Sequence, residues 1–289
     1  NSLYNFIKNS SGISWEEARL ATGTDKSVLT ALETKGLITI TEREITRDPL
    51  AGYRVIRSQP FTLTPYQQNA VALISHALQH PENKPDAFLL RGVTGSGKTE
   101  VYLQALAECI RLGKKGLFLV PEIAMTPQTI ERLAARFPGK VAVLHSGLNL
   151  GEQYDEWRRI QAGEFDVVIG SRSALFSPQP DPGLIILDEE HEWTYKQDST
   201  PRYHARDTAL KLAQLTGAVV VLGSATPDVG SYFKADSGEY RLIELPERIT
   251  VAGGRLPSVE IVDMRDELKA GNLSIFSRQL TQEINRVLA

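Results

Sequence analysis

The chain has 289 residues, a net charge of −3, and 42% hydrophobic with 23% charged residues, an ordinary globular composition that excludes a disordered, collagen-like or disulfide-framework protein. Its one cysteine, Cys109, excludes an internal disulfide and a Cys-rich zinc site. No apolar run approaches the ~20 residues of a membrane helix, and the first residues lack the charged and apolar regions of a signal peptide, so a cytoplasmic protein without a membrane partner is expected.

The length is about twice that of a usual domain, which predicts two. Residues 1–57 hold 8 basic and 7 acidic residues. Leu3, Phe6 and Ile7 fall at helical spacing. Ser14 reads as an N-cap, with Glu16 and Glu17 in the first turn of a helix through Leu20. Asp25 can cap a third helix carrying Val28, Leu29 and Leu32, which Gly36 ends, and Leu37–Ile40 with Glu44-Ile45 then read as strands. That order is a winged helix. Lys26, Ser27 and Lys35 would face DNA in one reading; in the other the domain serves packing or protein contact. A local net charge of +1 does not choose between them.

Asp48–Pro60 reads as a linker, with the second domain over residues 58–289. There, short continuous apolar runs recur at Phe88–Leu90, Leu117–Val120, Val141–Leu144, Val167–Ile169, Leu184–Leu187 and Val219–Leu222. Helical patterns at Thr99–Leu112, Pro127–Phe137 and Tyr203–Leu215 alternate with them. Strands buried on both faces and alternating with helices predict an α/β fold: a parallel sheet with helices on both faces.

After the first strand comes Gly92-Val93-Thr94-Gly95-Ser96-Gly97-Lys98-Thr99, the pattern G-x-x-x-x-G-K-S/T. Glycines let the backbone wrap closely, so its N–H groups and the following helix N-terminus point at phosphate oxygens. Lys98 supplies a charge to the terminal phosphates, and the Thr99 hydroxyl can hold magnesium. Ninety residues on, a strand delivers Asp188-Glu189-Glu190-His191, with Asp188 suited to magnesium and Glu189 to polarising the attacking water. Ser224-Ala225-Thr226 follows the next strand. Trp193, Tyr195 and Tyr203 are interleaved with Lys196 and Arg202, a composition suited to stacking on unpaired bases while reaching the backbone. His76 and His80 have the spacing of two metal ligands but no third nearby, and read as a solvated helix face. Cys109 reads as a small core residue.

The phosphate loop, the Asp-Glu-x-His box and the Ser-Ala-Thr motif in this order resemble the first motor lobe of superfamily 2 helicases. Val120–Ile123, Thr126–Thr129, His145–Leu148, Gly170–Phe176, Tyr195–Gln197 and Arg202–Asp207 narrow the resemblance to the bacterial primosomal replication-restart DNA helicases, over about residues 61–289. It implies a RecA-like P-loop NTPase lobe after the winged helix, with residues 236–289 leading toward a second lobe. It also implies an ATP-dependent DNA helicase acting at stalled forks, with ATP and Mg2+ as cofactors. Branched and single-stranded DNA, single-strand-binding protein and primosome loading proteins would be its partners.

Position by position, the resemblance makes Gln67 an adenine reader. Ser171 and Arg172 become DNA contacts, with Arg172 facing a phosphate or, alternatively, an internal salt bridge. His191, Ser224 and Thr226 become couplers, and the segment from Trp193 to Tyr203 a DNA-sensing loop. Tyr203 and Trp193 have a core reading as the alternative. The family's N-terminal domain, second-lobe arginine finger and Cys-rich zinc insertion have no counterpart here, so a fragment with half an ATPase site, inactive alone, is expected, with zinc only in the missing part. A catalytically idle loading scaffold and another superfamily 2 helicase remain alternatives; the string Tyr203–Asp207 argues against a RecG- or RecQ-like protein.

Overall fold

The structure, a computed structural model, describes residues 2–8, 12–41, 49–50, 56–80, 87–249 and 259–288. Three helices come first: α1 (Ser2–Lys8), α2 (Trp15–Thr22) and α3 (Lys26–Thr34). Ser14 and Glu17 form a capping box at the start of α2, each side chain bonding the other's backbone amide, an arrangement worth about 1 kcal/mol. Asp25 stands before α3 as expected, but its side chain makes no capping bond. Leu3, Ala18 and Leu32 form the centre of a small apolar cluster, joined by Phe6, Ile7, Trp15, Val28 and Leu29.

The expected strand at Leu37–Ile40 is irregular chain. A strand needs a hydrogen-bonded neighbour, and among the described residues none pairs with it; instead the Ile40 amide donates to Glu33 Oε1 at 3.3 Å. Glu44-Ile45 lie outside the described residues.

The second part follows with α4 (Pro65–Gln79), β1 (Ala87–Gly92), α5 (Lys98–Arg111), β2 (Lys115–Leu119), α6 (Pro127–Arg136), β3 (Val141–Leu144), α7 (Leu150–Gln161), β4 (Val167–Gly170) and β5 (Pro182–Leu187). A short pair, β6 (Lys196–Gln197) and β7 (Tyr203–His204), precedes α8 (Ala205–Thr216), β8 (Val219–Ser224), α9 (Val229–Asp236) and β9 (Arg241–Leu245). Helices α10 (Met264–Lys269) and α11 (Arg278–Leu288) close the described chain. Each of the six apolar runs read as a strand within residues 58–289 forms one, and β9, with only Ile243 and Leu245 of its residues buried, is an addition.

Seven strands make one parallel sheet in the order β3-β4-β2-β5-β8-β1-β9. Alternate residues of each strand feed opposite cores. Phe88, Leu90, Phe118, Ile186 and Val221 pack with Ile74, Val101, Leu106 and Leu133 from α4, α5 and α6. Leu89, Leu117, Ile185 and Val220 pack with Ile160 and with the Ala205, Ala209, Ala213 stripe, from α7 and α8. Because all seven strands run the same way, their carboxyl ends share one edge, where ligands of such sheets bind. The phosphate loop, the acidic box and the Ser-Ala-Thr segment all leave from that edge.

Residues 58–61 are tied to this part. Ser58 N–H donates to Ala135 at 2.9 Å, and the Phe61 amide donates to Glu100 Oε1 at 3.1 Å. Glu100 also takes both terminal nitrogens of Arg136, at 3.1 and 2.9 Å.

Candidate nucleotide site and nucleic-acid face

Gly92 ends β1 and Lys98 opens α5, so residues 93–97 must turn back tightly. Gly95 and Gly97 do so at φ of 82° and 78°, a region costly to any side chain. A Cβ on Gly92 would lie 2.5 Å from Ser96 Oγ, and one on Gly97 would collide with the Gln67 amide. Lys98 is buried, its Nζ donating to the Gly92 carbonyl at 3.0 Å and lying 3.7 Å from Glu189 Oε1. Ser96 Oγ is buried with no hydrogen-bond partner among the described residues, while Val93, Thr94 and Gly95 form the exposed rim.

Gln67 is engaged within the protein. Its Oε1 accepts the Thr64 amide at 2.9 Å, and its Nε2 donates to the carbonyls of Ser96 at 3.0 Å and Gly97 at 3.4 Å. Both ends of the amide are engaged, and the residue is 1% exposed. In this structure Gln67 caps α4 and clamps the phosphate loop.

Asp188 and Glu189 leave the end of β5. Asp188 Oδ1 accepts the Tyr102 hydroxyl at 2.9 Å. Burial, then the neighbouring Glu189 charge, push the Asp188 carboxyl up to about 6. Glu189 sits at φ 47°, a conformation rare for a side-chain-bearing residue and one that turns it toward Lys98. Glu190 is turned away: its fully buried carboxylate takes Arg206 at 2.9 Å, Ser231 Oγ at 2.8 Å and the Asp228 amide at 2.8 Å, a satisfied internal network. His191 bridges to the next motif, its Nδ1 2.7 Å from Ser224 Oγ and its Nε2 3.5 Å from Thr226 Oγ1. Ser224 Oγ in turn accepts the Thr226 amide at 2.9 Å.

The loop residues divide. Trp193 is 74% exposed, and Lys196 and Arg202 are exposed. Tyr195, expected there too, is core: it is 1% exposed and its hydroxyl donates to the Asp188 carbonyl at 2.7 Å. Tyr203 does not start the helix, which begins at Ala205, but lies in β7 paired to Gln197. It is half-buried, and its ring meets Phe176 edge-on at 5.0 Å. Phe176, the last residue of the Gly170–Phe176 stretch, is exposed. Ser171 is buried. Among the described residues Arg172 makes no salt bridge; one terminal nitrogen donates to the carbonyls of Thr194 at 2.8 Å and Lys196 at 2.7 Å, holding the loop's shape.

His76 and His80 are exposed and stacked at 4.5 Å, and Cys109 is buried, its thiol pushed up to about 12 by desolvation. Among the described residues no helix is long and apolar enough to cross a membrane.

The sequence model of the family described as "Type III restriction enzyme, res subunit" matches residues 60–229, more than half the chain. The chain belongs to this family. Its phosphate loop, acidic box and Ser-Ala-Thr segment all fall in the matched stretch. The chain is also similar to replication restart protein PriA of Bacillus subtilis (44% identical over 289 residues, 99% of this chain and 35% of that protein). PriA of Synechocystis is 45% identical over 289 residues, 98% of this chain and 34% of that protein. The chain therefore spans about a third of the length of these relatives. Among solved structures, RecG bound to a three-way DNA junction resembles it with a TM-score of 0.48 and 24% identity, over 67% of this chain and 25% of that one.

Proposed function

We propose that the chain is the first motor lobe of an ATP-dependent DNA helicase of replication restart, preceded by a small domain over residues 1–57 that we read as a winged helix. One observation carries this reading: Lys98 of the phosphate loop and Glu189 of the acidic box, ninety residues apart in sequence, stand 3.7 Å from each other at the carboxyl edge of the sheet. The 44% identity to a replication restart protein over nearly the whole chain supports the biological assignment.

The residues fit a magnesium nucleotide. The loop amides and Lys98 suit a triphosphate, and the unpartnered Ser96 hydroxyl would find an acceptor there. Thr99 and Asp188 offer the hard oxygens magnesium prefers, few in number because that ion keeps waters and phosphate ligands; when bound, it neutralises phosphate charge. Glu189 then orients the attacking water and accepts its proton. His191, linked to Ser224 and Thr226, carries the state of the acidic box to the end of β8. DNA lies on the face of Trp193, Lys196, Arg202, Tyr203 and Phe176, whose rings suit stacking on unpaired bases. Single-strand-binding protein and primosome loading proteins are the partners of the complete protein, and its zinc lies outside this chain.

In the full-length protein, Lys98→Ala and Glu189→Gln each lower DNA-stimulated ATP hydrolysis by about a hundredfold or more. Near-normal turnover in both would sink the assignment.

A further inference from the structure

We propose that Tyr102 is a positioning residue for magnesium binding: its hydroxyl locks the Asp188 carboxylate to the helix that carries the phosphate loop. Tyr102 lies one turn beyond Lys98 on α5, so the two side chains share a face of that helix. Its side chain is fully buried, with the ring 5.7 Å from that of Phe118. Packing alone would be met by phenylalanine. A buried hydroxyl costs free energy unless it is bonded, and this one donates to Asp188 Oδ1 at 2.9 Å.

The neighbouring chain is cut to fit it. At Gly223, next to Ser224, any Cβ would collide with the Tyr102 hydroxyl. The Gly223 carbonyl accepts the Glu190 amide at 3.0 Å, so the end of β8 and the acidic box close around the same phenol. One side chain therefore spans the phosphate-loop helix, the carboxylate at the end of β5 and the strand before the Ser-Ala-Thr segment. A carboxylate pinned at one oxygen keeps a single orientation, which a lightly held, partly hydrated ion requires of its few protein contacts.

This inference rests on the nucleotide-site reading above. Its test uses full-length protein carrying Tyr102→Phe, with binding of a fluorescent ADP followed as magnesium is titrated and again in chelator. The expected result is a rise of about tenfold in the magnesium midpoint, the scale of one hydrogen bond to a charged group. ADP affinity in chelator stays within about twofold of the unsubstituted protein, because Lys98 and the loop amides are untouched. An unchanged magnesium midpoint overturns the proposal, as does an equal loss of ADP affinity with and without magnesium, which would make Tyr102 a packing residue. If the unsubstituted protein binds no ADP at all, the nucleotide-site reading falls, and this inference with it.

Discussion

Asp188 is placed under two opposing demands: it must be ionised to hold a cation, yet it is buried beside Glu189. The folded protein therefore holds its proton to about pH 6, above the ordinary carboxylate value near 4. A carboxyl raised in this way stabilises the fold fully below about pH 4, and that contribution is lost as pH rises through about 6. Without magnesium, Asp188→Asn should thus be more stable than the parent at about pH 7.5, by on the order of 2 kcal/mol, with the gap closing toward about pH 4. Denaturant midpoints in chelator at both ends of that range check it; a variant no more stable at the higher pH would mean the site does not strain its own carboxylate. The same residue shows how far sequence reaches. Its position after an apolar run was enough to name it. Its partner Tyr102 carries no local signal, since the hydrogen bond joins positions 86 apart.

Elements decide what the loop between β5 and α8 can do. Trp193, Tyr195 and Tyr203 look alike in composition, but the backbone sends them to different places: solvent, core, and a two-strand ladder against Gln197. The turn at Trp193–Tyr195 is a single 3-10 turn, and Arg172 staples its carbonyls from across the site. Two substitutions separate contact from scaffold. Trp193→Ala should remove most of the stimulation of ATP hydrolysis by single-stranded DNA, at unchanged nucleotide affinity, because stacking on one base is worth about 1–3 kcal/mol. Arg172→Ala should lower stimulation as well but also loosen the loop, read as faster amide hydrogen exchange at residues 193–197. Equal exchange in both variants would remove Arg172 from the scaffold role. At the other end of the chain, the capping box of α2 was readable from Ser14 and Glu17 alone, because a cap is made within one turn.

Across the whole molecule, segments far apart in sequence are tied by buried polar contacts. The Arg136–Glu100 pair is almost fully buried and also receives the Phe61 amide, joining residues 58–61 to α5 and α6. Removing one partner strands a buried charge, so Arg136→Ala should destabilise the protein by about 3–5 kcal/mol. The double variant Arg136→Met with Glu100→Gln should recover most of the loss; a single variant within about 1 kcal/mol of the parent by chemical denaturation would show that the pair is dispensable. The amino-acid sequence by itself determined the parallel sheet, the phosphate loop and the acidic box, because apolar runs, helical periods and glycine spacing are local and each acts within a few residues. Tertiary structure alone decided that Gln67 clamps the loop, that Tyr195 and Ser171 are buried, that Arg172 serves carbonyls and that Glu190 belongs to an internal network. The physical reason is that burial and hydrogen-bond pairing are properties of neighbours in space, and the parallel sheet gathers those neighbours from strand ends that no local pattern connects.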